Sequence, residues 1–154
     1  MAGFLGEYLC SLDNKGRVKL PAGLKGQLAP ENNGRFVINR GFEQCLTMFP
    51  WDEWQKISAR VSKLNTFEKK KREFVRYFYR GATEITLDTT DRLLLPKHLM
   101  EYAGITKDAL LTARDNIIEI WNQKTYEGLM AIDSDYFADL AEEVMGDPKP
   151  DDDK

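Results

Sequence analysis

Asp13 and Arg17 stand four residues apart, and Asp88 and Arg92 repeat that spacing 75 positions later. A carboxylate so placed beside a guanidinium supports two chemistries. The planar fork of arginine matches phosphate oxygens and the edge of guanine, which suits a nucleic-acid partner. Alternatively the aspartate caps a turn and pairs with the arginine, a purely structural role. Both readings stay open for Asp13, Asp88 and Arg92, and for Arg17 as well. The surrounding residues discriminate better. Asn14, Lys15 and Gly16 precede Arg17, and Lys19 follows, whereas the second copy carries Thr90, Asp91 and Leu94 at the positions of Lys15, Gly16 and Lys19. Two cations on a loop whose glycine lets the backbone approach closely fit a phosphate chain, and Asp88 with Asp91 would repel one. The first loop, through Asn14, Lys15, Gly16, Arg17 and Lys19, is therefore the expected DNA-facing one, against the alternative of a solvated basic turn.

Other chemistry finds little support. Asp88, Asp91 and His98 form the one tempting catalytic cluster, but His98 corresponds to Gly23 in the first copy and no orienting group accompanies it. No nucleotide-binding glycine loop or metal motif occurs, so no enzyme activity, cofactor or metal is expected. Cys10 and Cys45 align with Ile85 and Ile117, which marks them as apolar core positions. Two cysteines suit a reducing cytoplasm, and the first ten residues lack the basic start and apolar run of a signal peptide. The net charge of −3 conceals an asymmetry. Residues 1–80 hold 15 Lys and Arg against 8 Asp and Glu, while residues 81–154 hold 7 against 17. Such a split hints at a polyanion-binding half with an acidic appendage. Lys69, Lys70, Lys71, Arg72, Arg76 and Arg80 make a basic helix face that could touch DNA, be balanced by Glu68 and Glu73 in solvent, or meet an acidic C-terminal segment of a neighbouring subunit.

The elements that must hold these loops are duplicated with them. Each copy reads Leu-Asp-x-x-x-Arg-aliphatic-x-Leu-Pro, at 12–21 and at 87–96. Leu24 and Leu99 match beyond the proline, and residues 45–49 match 117–121 after a loss of three loop residues. In each copy a short strand, 7–12 or 84–87, leads into the loop, and a returning strand, 18–20 or 93–95, leaves it. The proline then opens a short helix, with Leu24 and Leu28, or Leu99 and Met100, as its apolar face. A second strand pair follows, 36–38 with 46–49 and 109–111 with 117–121, the latter turning at Asp115 and Asn116. Helices are expected over 50–64, 66–79, 123–129 and 134–145, the second with Phe67, Phe74, Val75 and Phe78 on one side. Phe49, Trp51, Trp54 and Trp121 read as core or interface. The whole is α+β with a mainly β core: a first module at 4–80, a second at 81–145, and an acidic tail at 146–154 expected to be disordered. Neither copy covers its own sheet edges, so two intertwined copies supplying each other's missing strands are expected.

The paired Asp-x-x-x-Arg motif, the Leu-Pro after it and the Pro-Trp-Asp-Glu-Trp stretch at 50–54 make residues 4–145 resemble the MraZ family. The resemblance implies two tandem swapped-hairpin AbrB-like modules forming an in-chain pseudo-dimer barrel with flanking helices. It further implies a bacterial, nucleoid-associated transcriptional regulator that binds double-stranded DNA as a ring-shaped, octamer-like homo-oligomer. Its targets would be short G-rich direct repeats upstream of the division and cell-wall gene cluster. Contact would run through the motif loop and its arginine, and Asp91, where the family pattern has glycine, departs from it. An oligomeric protein-interaction scaffold without specific DNA binding is the alternative. Neither a membrane nor a small-molecule substrate is expected as a partner.

Overall fold

The computed structural model describes residues 3–146, so most of the acidic tail expected at 146–154 lies outside the described residues. Strand β1 (Phe4–Ser11) shows why alternation makes a half-buried strand: Phe4, Gly6, Tyr8 and Cys10 turn inward while Leu5, Glu7, Leu9 and Ser11 face solvent. After the first motif loop comes β2 (Arg17–Lys19), then the short helix α1 (Ala22–Lys25) and a 3-10 turn at Pro30–Asn32. Strands β3 (Arg35–Arg40) and β4 (Leu46–Pro50) form a hairpin, followed by α2 (Trp51–Ser62) and α3 (Lys69–Tyr79). The second copy repeats the order: β5 (Thr83–Thr86), β6 (Arg92–Leu94), α4 (Lys97–Ala103), β7 (Asp108–Asp115), β8 (Ile117–Trp121), then α5 (Gln123–Leu129) and α6 (Ser134–Met145).

Backbone pairing crosses between the copies. The large antiparallel sheet has the order β1-β7-β8-β4-β3-β5, so β1 bonds to β7 of the second copy and β5 bonds to β3 of the first. At its centre Leu46 faces Ile120 and Met48 faces Ile118 about the Thr47–Glu119 pair, the register a two-fold relation between the copies requires. The returning strands also find each other: β2 and β6 make a separate two-stranded ribbon, Val18 opposite Leu93. Inside the first copy the Leu12–Val18 bridge joins β2 back to the chain just after β1.

The sheet differs from the expected barrel in one respect. Its strand order ends at β1 and β5, so the described residues do not close a barrel by backbone pairing. The ribbon meets the chain leaving β1 and β5 through the Leu12–Val18 bridge and through the Asp13 and Asp88 amides, which donate to the Arg17 and Arg92 carbonyls. Val18, Leu20, Leu93 and Leu95 below the ribbon join Phe36, Ile38, Leu46, Met48, Ile118 and Ile120 of the sheet in one hydrophobic cluster. Both copies thus share a core, and neither one has its own.

The helices close the periphery. Pro21, Pro50 and Pro96 each occupy the N-cap rather than the first helical position. Leu24 and Leu99 are fully buried, and Leu28 and Met100 pack on the same core. Asn32 anchors the start of α2 by accepting from the Asp52 amide at 3.1 Å and donating to its carboxylate at 3.0 Å. Trp54 binds α2 to α3, with its ring 5.5 Å from Phe78 and 5.6 Å from Phe49. Phe67, expected on the apolar side of α3, instead precedes that helix and is almost wholly exposed. The Asn65 side chain accepts from the Phe67 amide in a turn, which delays the helix start to Lys69. Cys45 is fully buried beside Leu110 and Trp121, and Cys10 is half-buried against the main core, as their isoleucine counterparts imply.

Candidate nucleic-acid interface

The two motif loops have one hydrogen-bonding scheme, repeated atom for atom. Asp13 Oδ1 accepts from the amides of Lys15 at 3.0 Å and Arg17 at 2.9 Å, and Oδ2 accepts from Arg17 Nε at 2.6 Å. Asp88 does the same with the Thr90 and Arg92 amides and Arg92 Nε, each at 2.9 Å. In both loops the aspartate amide also donates to the arginine carbonyl, closing the turn. The aspartates therefore organise the loops through these contacts. Each arginine commits Nε to its own aspartate, and the terminal nitrogens of Arg17 have no protein partner among the described residues. A pre-oriented guanidinium with its outer edge free is suited to an anion or a base edge.

The residue before each arginine adopts a left-handed backbone, Gly16 with φ 81° and Asp91 with φ 63°. Glycine enters that region without penalty, and aspartate is among the few side chains that tolerate it. This is how copy two dispenses with glycine and keeps the same turn. The carbonyls of these two residues then reach across the pseudo-symmetry: Gly16 accepts from the Leu95 amide at 3.1 Å and Asp91 from the Leu20 amide at 2.8 Å. The loops are thereby fastened to one another's strands.

The ribbon unites the two motifs on one surface. Strand alternation sends Val18 and Leu93 inward, so Arg17, Lys19, Arg92 and Leu94 share the outer face, Lys19 opposite Arg92 and Arg17 opposite Leu94. Arg92 Nη1 lies 3.8 Å from Asp13 Oδ2, which links the second arginine to the first loop. The two arginine side chains are similarly accessible, 27% for Arg17 and 34% for Arg92. Asn14, Lys15 and Lys19 are exposed, and Gly16 is half-buried. Sequence reasoning missed two members of this surface. Lys25 Nζ sits 2.6 Å from Asp91 Oδ2 and offsets the repulsion that Asp91 would otherwise present to phosphate. Leu94 is 56% exposed on the cationic face. No local signal marks the Lys25 contact, since its partner lies in the other copy. The exposure of Leu94 was open to inference from its alternation with Leu93 and Leu95.

The basic stretch opening α3 is partly balanced, with Lys71 2.8 Å from Glu68 and Lys69 4.0 Å from Glu73. Arg72 donates to the carbonyls of Thr66 and Phe67, capping the preceding turn. Burial pushes the Cys45 thiol up to about 12, so it stays protonated at neutral pH.

The loop carboxylates are strongly acidic. The Arg92 amide above all, with the Thr90 amide and hydroxyl, brings Asp88 down to about 2 against the opposing effect of desolvation. Asp13 is lowered in the same way, chiefly by the Arg17 amide. A carboxylate whose folded pKa lies below the unfolded value of about 3.9 stabilises the fold fully above that value, and its contribution disappears as pH falls towards about 2. Asp88→Ala is therefore expected to lower the melting temperature at pH 7, with the gap from the unsubstituted chain narrowing between pH 4 and pH 2. Thermal melts across that range check it, and a gap constant with pH would refute the charge-based account of the turn.

An antiparallel β core with two Asp-x-x-x-Arg turns on a shared cationic ribbon defines an internally duplicated, loop-presenting β protein. A family model described as "MraZ protein, putative antitoxin-like" matches residues 4–77 and again 78–146. The chain is similar to proteins named "Transcriptional regulator MraZ" from three bacteria. It is 46% identical to that of Christiangramia forsetii over 147 residues, 95% of each chain. It is 43% identical to that of Flavobacterium psychrophilum over 152 residues, 98% of this chain and 97% of the relative. With that of Cytophaga hutchinsonii it shares 42% over 149 residues, 97% and 99%. The chain belongs to the MraZ family.

Proposed function

We propose that this chain is a sequence-specific DNA-binding transcriptional regulator that grips duplex DNA with the outer face of the β2–β6 ribbon and the loops beside it. One observation carries the reading: Arg17, Lys19 and Arg92 all point away from the core on a narrow two-stranded ribbon, with Lys15 exposed on the adjoining loop. A two-stranded ribbon fits the major groove, where an arginine fork can take both acceptors of guanine. Lys15 and Lys19 would position the ribbon on phosphates, and Leu94 offers an apolar contact of the kind that reads a thymine methyl. The regulator names of the full-length relatives support the same role.

In this reading the modules at 4–80 and 81–145 are AbrB-like swapped hairpins acting as one in-chain pseudo-dimer, supported by the reciprocal pairing of β1 with β7 and β5 with β3. One ribbon addresses only a few base pairs. A ring-shaped, octamer-like homo-oligomer would set neighbouring ribbons on neighbouring direct repeats, and linked weak contacts gain orders of magnitude in affinity without new chemistry. The targets are short G-rich repeats upstream of the division and cell-wall gene cluster, and the protein acts in the bacterial cytoplasm at the nucleoid. No helix among the described residues is long and apolar enough to cross a membrane.

Selection of bound sequences from random DNA, followed by a salt titration of the winners, tests the proposal. Recovery of a repeated G-rich motif is expected, with log K falling against log salt by about 0.9 per phosphate neutralised. No enrichment, or affinity indifferent to salt, would instead favour the protein-interaction scaffold.

A further inference from the structure

Helix α6 is amphipathic and unpartnered. Tyr136, Phe137, Leu140 and Val144 share one side at helical spacing, and all four are exposed. Glu143 and Asp139 border the stripe along its Tyr136 edge, with Asp135 and Glu142 farther round the helix, and none of the four has an ion-pair partner among the described residues. An apolar stripe of this kind is left in water only when something else covers it.

Elsewhere on the chain lies a surface with the opposite character. Phe42, Ile57, Phe74 and Phe78 line two adjoining clefts of about 540 and 490 Å³ between the sheet and helices α2 and α3. Phe42 is 95% exposed at their shared rim. The charged border is mainly cationic, with Arg40, Arg80 and Arg114 against the one carboxylate Glu119 around the first cleft and Arg60 and Lys63 around the second. Only Arg114 meets carboxylates; the other four have none within salt-bridge distance among the described residues. Arg40 stacks its guanidinium 4.4 Å over the Tyr102 ring, and its Nε is buried without a hydrogen-bond partner.

We propose that the acidic, amphipathic helix α6 of one copy docks into the apolar, arginine-rimmed cleft over α2 and α3 of a second copy. The apolar stripe fills the phenylalanine-lined floor, and the α6 carboxylates meet the unpaired cations of the rim. The contact is heterologous, helix of one copy into cleft of the next, and such contacts propagate head to tail until a ring closes. Each subunit then uses its acidic end to neutralise its neighbour's basic helix surface, leaving the ribbon as the free cationic face. The inference rests on the self-assembly part of the proposed function and assigns it a surface.

The test is complementation between two defective full-length chains, read by sedimentation. Phe137→Asp with Leu140→Asp spoils the helix and leaves the cleft intact; Phe74→Asp spoils the cleft and leaves the helix intact. Arg60→Glu with Arg80→Glu, at exposed positions, is a second cleft variant in case Phe74→Asp disturbs folding, which circular dichroism would reveal. Each variant alone is expected to run as a monomer of 17.7 kDa. Mixed in equal amounts, the two should form a species of twice that mass and no larger, because one helix and one cleft remain competent. A mixture that stays monomeric, or a helix variant that assembles like the unsubstituted chain, would overturn the docking while leaving self-assembly in place. A monomeric unsubstituted chain at all concentrations would remove the assembly reading itself.

Discussion

Replacing Arg17 with alanine is expected to abolish specific DNA binding while leaving the fold and the assembly intact. A bidentate arginine–guanine contact is worth about 1–3 kcal/mol, and at 1.4 kcal/mol per tenfold its loss costs roughly 5- to 150-fold for every loop engaged. An oligomer reading several repeats incurs that cost several times over. The change also strips Asp13 of its partner at 2.6 Å and exposes a carboxylate to the phosphates. The fold should survive, because an exposed ion pair contributes about 0–1 kcal/mol and the Asp13 contacts to the Lys15 and Arg17 amides remain. Arg92→Ala should weaken binding much less. Arg92 is similarly accessible, so the difference lies in its ties and its loop: Arg92 Nη1 also lies 3.8 Å from Asp13, and Thr90 and Asp91 stand where the loop of Arg17 carries Lys15 and Gly16. Fluorescence anisotropy on a selected operator would measure both variants side by side. Unchanged affinity in Arg17→Ala would refute the ribbon interface, and equal losses would show both copies reading DNA alike.

The second large effect is on folding. Phe36 is 1% exposed in the shared core, and its strand pairs with Pro50 of its own copy and Ile85 of the other. Truncating such a side chain to alanine costs about 3–5 kcal/mol, a large part of the 5–15 kcal/mol typical of a whole domain. At roughly 2–4 °C per kcal/mol for a chain of this size, Phe36→Ala should lower the melting temperature by about 6–20 °C. Both copies should fail together. Tryptophan fluorescence, from Trp51, Trp54 and Trp121, and far-ultraviolet circular dichroism should therefore give one coincident transition in the unsubstituted chain and one, at lower temperature, in Phe36→Ala. Separate transitions would show that each copy folds alone despite the crossed strands.

Much of the local structure was legible from pattern. Helices over 123–129 and 134–145 coincide with α5 and α6, each opened by an Asn or Asp whose side chain accepts from the third residue's amide. The motif turns were legible as well, because aspartate and glycine specify them through their own backbone contacts. Less of the site was visible. The stretch 18–20 reads as a strand, yet β2 ends at Lys19: the Leu20 amide gives the last rung of the ladder, to the Asp91 carbonyl of the other copy, and Pro21 after it has no amide to offer. Lys25 and Asp91 meet across 66 residues of chain, beyond any local rule.

What the sequence determined by itself is the unit: a strand, a self-capping Asp-x-x-x-Arg turn, a returning strand stopped by proline, and a hairpin, all made twice. Those features follow from side chains acting on neighbours within a few residues, so spacing and alternation suffice to specify them. The tertiary structure decided which strand bonds to which, and with it the site. Alternation fixes which face of a strand is buried but is silent about the partner at its edge. Only the crossed pairing of β2 with β6 brings Arg17, Lys19 and Arg92 from two distant segments onto one outward face.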